Sequence, residues 1–244
     1  MNSPAVAAFQ AYTATLFGRR ALWIVLVITG LFAVGIVAAW VLGRVFSVET
    51  LEHVAEVALL PGVPLGALLL SEMPIRDGIR HRTLLYHLLA PVPRSTLLAV
   101  RTLVTGVLLA LILSVTLVEV HILDGGTWAT VPRELFAVLL GAAVYVALFG
   151  LIHLLTSHGL IAGLVIIFMF DIPLGMLPFG IRNLSPSYHV RVLADRVVQM
   201  DLPIPVQSAP PNFLLSTITL LVLTVILLAL SGTRFRRMNL GELC

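Results

Sequence analysis

The stretch Ser71–Arg101, SEMPIRDGIRHRTLLYHLLAPVPRSTLLAVR, is where an otherwise oily chain concentrates its charge. Five arginines, Arg76, Arg80, Arg82, Arg94 and Arg101, stand against two acids, Glu72 and Asp77. Apolar segments flank the stretch on both sides, so it reads as a loop joining two membrane spans. Residues 75–90 predict a helix with Ile75, Ile79, Tyr86 and Leu89 roughly on one side. Arg76, Asp77, Arg80 and His87 fall on or near the other, the pattern of a helix lying along a membrane surface. Pro91 and Pro93 then end it, because proline lacks the amide donor and disfavours helical geometry in the residue before it.

Composition places the whole chain in a bilayer. Of 244 residues, 59% are hydrophobic and 11% charged, and the mean hydropathy is +1.06. Soluble domains carry about 25% charged residues, and uncharged runs of about 20 residues are what a bilayer requires. All fifteen cations are arginine. The net charge of +3 does not imply a nucleic-acid partner, because the arginines sit beside apolar runs, where they set orientation. The single cysteine, Cys244, excludes an internal disulfide and any cysteine-based metal site.

The fold expected is all-α, with six transmembrane helices in a single domain over 1–244. The spans are expected at 21–43, 55–73, 96–118, 135–156, 160–170 and 213–231. Span one follows Arg19 and Arg20 and is too long for a cleaved leader. Residues 4–18 read either as an interfacial helix started by Ser3-Pro4 or as a disordered tail. The segment 171–211 is apolar at first but broken by Pro173, Gly175, Pro178 and Gly180. Such backbone survives at membrane depth only when buried in protein or lining a cavity. It is therefore expected to form re-entrant and surface helices on the outer side, with a short helix after Ser185-Pro186.

Orientation follows from the arginines. With the N-terminus inside, ten lie in inner segments and five, Arg44, Arg133, Arg182, Arg191 and Arg196, in outer ones. Both termini are therefore expected in the cytoplasm of a cell (inner) membrane protein.

At this point the loop resembles a known family. Glu72, Thr83, Leu84, Leu88, Pro91, Val92, Arg94 and Arg101 match the loop after span two of ABC type 2 permeases, which commonly read acid, Gly-Thr-Leu, Leu-Leu, Pro-Val-Ser-Arg, then a further cation. Arg82 replaces the glycine of Gly-Thr and Pro93 the serine. The resemblance covers about 30 residues at motif level and nearly the whole chain in layout. It implies a half-transporter that pairs with a second permease copy, identical or related, on two separate ATP-binding subunits. Glu72, Arg76, Asp77, Arg80, Arg82, Thr83, Tyr86, Pro91 and Arg94 would couple it to them. ATP and magnesium would sit on those partners and no cofactor on this chain, which lacks G-x-x-x-x-G-K-[ST]. The implied activity is export of a hydrophobic or amphipathic substrate.

Three ionisable residues in the spans carry open readings. Asp171 is either a polar point in a translocation path or a local cap for amides freed around Ile172-Pro173. His153 either contacts substrate or packs against a neighbouring helix. Glu56 either joins the path or reaches the interface. The histidines are scattered and predict no metal site.

Two other classes compete. An intramembrane enzyme would need a catalytic constellation, yet G-x-S-x-G and H-E-x-x-H are absent and Ser157-His158 lies in a turn. A non-transporting assembly could use the same layout to transmit force, and Arg182 to Pro211 offers a dock for an extracytoplasmic protein.

Overall fold

The computed structural model describes residues 61–72, 93–124, 128–177, 180–196 and 212–237, together with Val6, Trp23, Val27, Gly30, Val34, Val37 and Val41. Every element among these residues is helical. They are α1 (Val63–Glu72), α2 (Arg94–Asp124), α3 (Val131–Leu155), α4 (Gly159–Val165), a π-helical stretch (Ile166–Asp171), α5 (Ile172–Met176), a 3-10 turn (Gly180–Leu184), α6 (Pro186–Ala194) and α7 (Phe213–Arg237).

Four helical runs are long and apolar enough to cross a membrane: Thr96–Glu119, Val131–Leu155, Gly159–Met176 and Phe213–Arg237. The molecule is thus an α-helical, membrane-embedded protein. The ten residues of α1 rise only about 15 Å. Of the first expected span, 21–43, six positions are described, each helical and exposed.

The helices run longer than the hydropathy pattern suggests. α2 begins at Arg94, where the Leu97 amide donates to the Pro93 carbonyl at 3.1 Å, and continues to Asp124. α3 starts at Val131, with Pro132 in its first turn, where a missing amide costs nothing. α7 extends to Arg237, three arginines into its last turn.

The largest departure concerns the boundary expected between 160–170 and 171–211. The helix expected to stop at Phe170 continues unbroken to Met176. Pro173 cannot donate to the turn before it and its ring crowds a carbonyl four residues back. The chain answers by widening rather than breaking: 166–171 form a π stretch, in which the Ile172 amide reaches the Ile167 carbonyl five residues back.

α3 is the centre of the bundle. It packs against α1, α2, α4, α6 and α7, and Ala137, Val138, Val144 and Phe149 are fully buried on it. The short link from α2 to α3 makes these two antiparallel, with His121 of α2 beside Thr130 at 3.3 Å. α7 begins beside the start of α3, where Phe213 stacks on Phe136 at 5.8 Å, so α3 and α7 run parallel. His153, near the end of α3, meets Leu68 of α1. One end of the bundle therefore holds the close of α1, the start of α2, the 156–159 turn and Arg234, Arg236 and Arg237. The opposite end holds His121, Glu134 and Arg196.

Threonines in these apolar helices bond their own backbone. Thr102, Thr105 and Thr116 in α2, and Thr217, Thr219 and Thr224 in α7, each donate to the carbonyl four residues back at 2.7–3.1 Å. That local bond satisfies a hydroxyl where no water is available.

Candidate functional site

The main concentration of buried polar groups lies about midway along α3. Tyr145 sits ten residues, about 15 Å, before the end of that helix. Its hydroxyl donates to Oδ2 of Asp171, which the π stretch carries to the same level. The other carboxylate oxygen, Oδ1, accepts from Ser185 Oγ at 2.7 Å and from the Ser187 amide at 3.1 Å. Ser185 has one hydroxyl proton, and its shortest contact is that carboxylate. Ser187 Oγ then serves the Asp171 carbonyl at 3.2 Å.

Asp171 is only 5% exposed, and with three donors on its side chain it is a buried acid whose hydrogen-bonding is met. It is a cap, but not for the amides around Ile172-Pro173. It caps the start of α6, a helix from the next element, jointly with Ser185, whose Oγ accepts the Tyr188 amide at 3.2 Å. The approach is close enough to require Gly175: a Cβ there would stand 2.8 Å from Ser187 Oγ and 3.0 Å from Ser185 Oγ. Tyr145, Ser185 and Ser187 were not singled out as partners of Asp171 from sequence. The Ser-Pro-Ser run at 185–187 signals a helix start, but nothing in it points to an acid in another segment.

α6 is buried along its length from Ser187 to Ala194 although it carries polar residues. Arg191 is 2% exposed. Arg182, also buried, lies over the Tyr188 ring at 4.7 Å, a cation–π contact favoured by desolvation. His189 joins α6 to α7: Nε2 donates to the Asn183 carbonyl at 2.9 Å, so Nδ1 accepts from Ser216 Oγ at 3.0 Å. Burial pulls the His189 pKa below its ordinary value, partly offset by the bond to Asn183.

A second polar cluster ties α6 to the start of α3. Asp195 adopts a left-handed φ of 60°, and the Arg196 amide returns to the Arg191 carbonyl at 3.0 Å, closing the helix in a Schellman turn. This turn delivers Arg196 to Glu134, with Nε at 2.9 Å and Nη2 at 2.7 Å from Oε1. Glu134 is 1% exposed, and its other oxygen lies 3.4 Å from His121 Nε2. Outside this pair, Arg133 meets Asp195 at 2.6 Å. Glu134 sits in the first turn of α3, where its charge also suits the helix dipole.

The residues expected to couple to a partner fall differently. Glu72 closes α1, partly buried, and Arg94 opens α2. Arg101, matched to the same loop pattern but not one of these residues, is 5% exposed, inside the bundle rather than on its surface. Arg76, Asp77, Arg80, Arg82, Thr83, Tyr86 and Pro91, and likewise Glu56, lie outside the described residues. His153 is 5% exposed, and its Nε2 donates to the Leu68 carbonyl at 3.4 Å. A Cβ on Gly159 would stand 2.0 Å from its Nδ1, so the imidazole is packed between two elements.

Chemically, the central cluster holds elements in place. Its serines face a carboxylate that the geometry occupies fully. Ser157 Oγ does lie 3.0 Å from His158 Nδ1, but in an exposed turn, without a carboxylate orienting the imidazole among the described residues. No three His, Cys, Asp or Glu side chains converge among the described residues. No protein-family model matches the chain, and no curated protein matches it.

Proposed function

We propose that the chain is the membrane-spanning permease subunit of an ATP-driven exporter. In this reading it has six spans with both termini in the cytoplasm. It pairs with a second permease copy and is worked by two separate ATP-binding subunits docked on the 72–94 loop. Its substrate is hydrophobic or amphipathic, and ATP and magnesium are handled by the partners.

The observation that carries this reading is where the basic loop is tethered. It leaves α1 at Glu72 and enters α2 at Arg94, and these two helices pack on each other and on central α3. A force on the loop would therefore act on three helices at once. The same end of the bundle carries Arg234, Arg236 and Arg237, so the arginine bias agrees with one cytoplasmic face. The loop's resemblance to ABC type 2 permeases supplies the identity of the force.

The test is purification of the full chain from its native membrane in mild detergent. A separate ATPase should accompany it at about one copy per permease, and Arg82→Glu should release that ATPase while the chain still elutes as a folded species. A chain that purifies alone under several detergents with nucleotide present would overturn the proposal.

A further inference from the structure

A groove of about 510 Å³ runs between α2 and α3 on the surface of the bundle. Its walls are Val107, Leu111, Val115 and Val118 of α2 with Leu135 and Leu139 of α3. The volume lies in the range of small-ligand sites, roughly 300–1,000 Å³. Its lining from Val107 to Glu119 covers thirteen residues of helix, a rise of about 18 Å. That is close to one leaflet, half of a hydrocarbon core of about 30 Å. The groove is thus as long as a single lipid chain is deep.

Among the described residues two polar side chains, Ser114 and Glu119, interrupt the apolar lining. Glu119 is partly buried at the groove's end and forms no hydrogen bond or ion pair among the described residues. Among the described residues at this end of the bundle, Arg196 holds Glu134 and Arg133 holds Asp195. Holding a carboxylate partly buried against apolar side chains is costly unless a positive charge meets it. A positive headgroup would offset that cost while its chain fills the groove.

We propose that this groove binds one long-chain amphiphile with a cationic amine headgroup, the chain lying between α2 and α3 and the amine on Glu119. The site does not depend on any ATP-binding partner, so it stands or falls apart from the exporter reading.

The test uses the purified full chain in phosphatidylcholine nanodiscs with a photoactivatable diazirine derivative of hexadecylamine. Labelling should map to peptides containing 107–119 and 135–139 and should be blocked by Leu111→Trp, which fills the groove. Hexadecylamine should compete at least about tenfold better than hexadecanol of the same length, the ratio that roughly 1.4 kcal/mol of headgroup attraction produces. Glu119→Gln should erase that preference and leave chain binding in place. Equal competition by amine and alcohol in the unmodified protein would overturn the proposal, whatever the variants do. So would labelling that maps elsewhere. A disulfide cross-link from Val115→Cys to a cysteine placed within 21–43, or to a second copy, would assign the groove to protein and equally end it.

Discussion

α3 and α7 are a near-matched pair by composition and opposites by position. Each has 25 residues, and the most apolar 18-residue window has a mean hydropathy of 2.6 in α3 and 2.8 in α7. Yet 61% of the most apolar window of α3 is buried in the protein, against 17% for α7. Hydropathy measures preference for leaving water, and lipid and protein interior satisfy it equally well. What separates the two helices is where their polar groups find partners. Glu134, Tyr145 and His153 of α3 each reach another element: Arg196, Asp171 and the Leu68 carbonyl. Thr217, Thr219 and Thr224 of α7 bond within their own helix. α7 turns a single narrow stripe inward, Ser216, Leu220, Leu227, Ser231 and Phe235, and Ser216 is the position that meets His189.

That contrast can be broken most severely at Asp171. Asp171→Ala strands the Ser187 amide and the Tyr145 hydroxyl, two buried donors at about 1–3 kcal/mol each, while the Ser185 hydroxyl can turn to the backbone carbonyl of residue 171 at 2.9 Å. A loss of at least about 2 kcal/mol is expected, read as a large fall in the detergent melting temperature. A melting temperature near that of the unmodified protein would show the cluster to be dispensable.

A smaller effect is expected where α6 meets α7. His189 is held neutral when folded, its pKa below the ordinary 6.5. Below that ordinary value the unfolded chain takes up the proton and the folded one resists, so stability falls as pH drops. Melting followed from pH 7 to 5 should show the decline, and His189→Gln should flatten part of it. Identical slopes for the two proteins would remove His189 as the cause.

The smallest effect is expected on the outward face of α7. Val225 is 65% exposed, and Val225→Ala should change stability by no more than about 0.5 kcal/mol in detergent. A larger loss would mean that this face is covered by something in the intact assembly.

The class of the molecule was legible because it is an additive property. Few charges, long apolar runs and a concentrated arginine loop together require a helical membrane protein, whatever the packing. The helix start carrying the Ser-Pro signal at 185–187 could be read locally, whereas the start of α3 lies four residues before the expected 135. Asp171 could not be read that way. Its partners lie 14 to 26 residues away in sequence, and the Pro173 that suggested a break instead produced a π stretch aiming the carboxylate at them. Nothing in the sequence singles out Glu134, and only a left-handed Asp195 in another segment brings Arg196 onto it. Long-range polar pairing leaves no periodic trace in a sequence, and that is where this bundle stores its specificity.

The sidedness of the basic loop is the point on which the proposed function rests, and single-cysteine labelling measures it directly. The chain's only cysteine, Cys244, can be changed to serine. One cysteine is then placed in the loop, Arg80→Cys, or at the exposed link between α2 and α3, Ala129→Cys. With a membrane-impermeant maleimide on intact cells, Ala129→Cys should label at once and Arg80→Cys only after permeabilisation. Labelling of Arg80→Cys from outside would put the loop out of reach of any cytoplasmic ATPase, and the exporter assignment would fall with it.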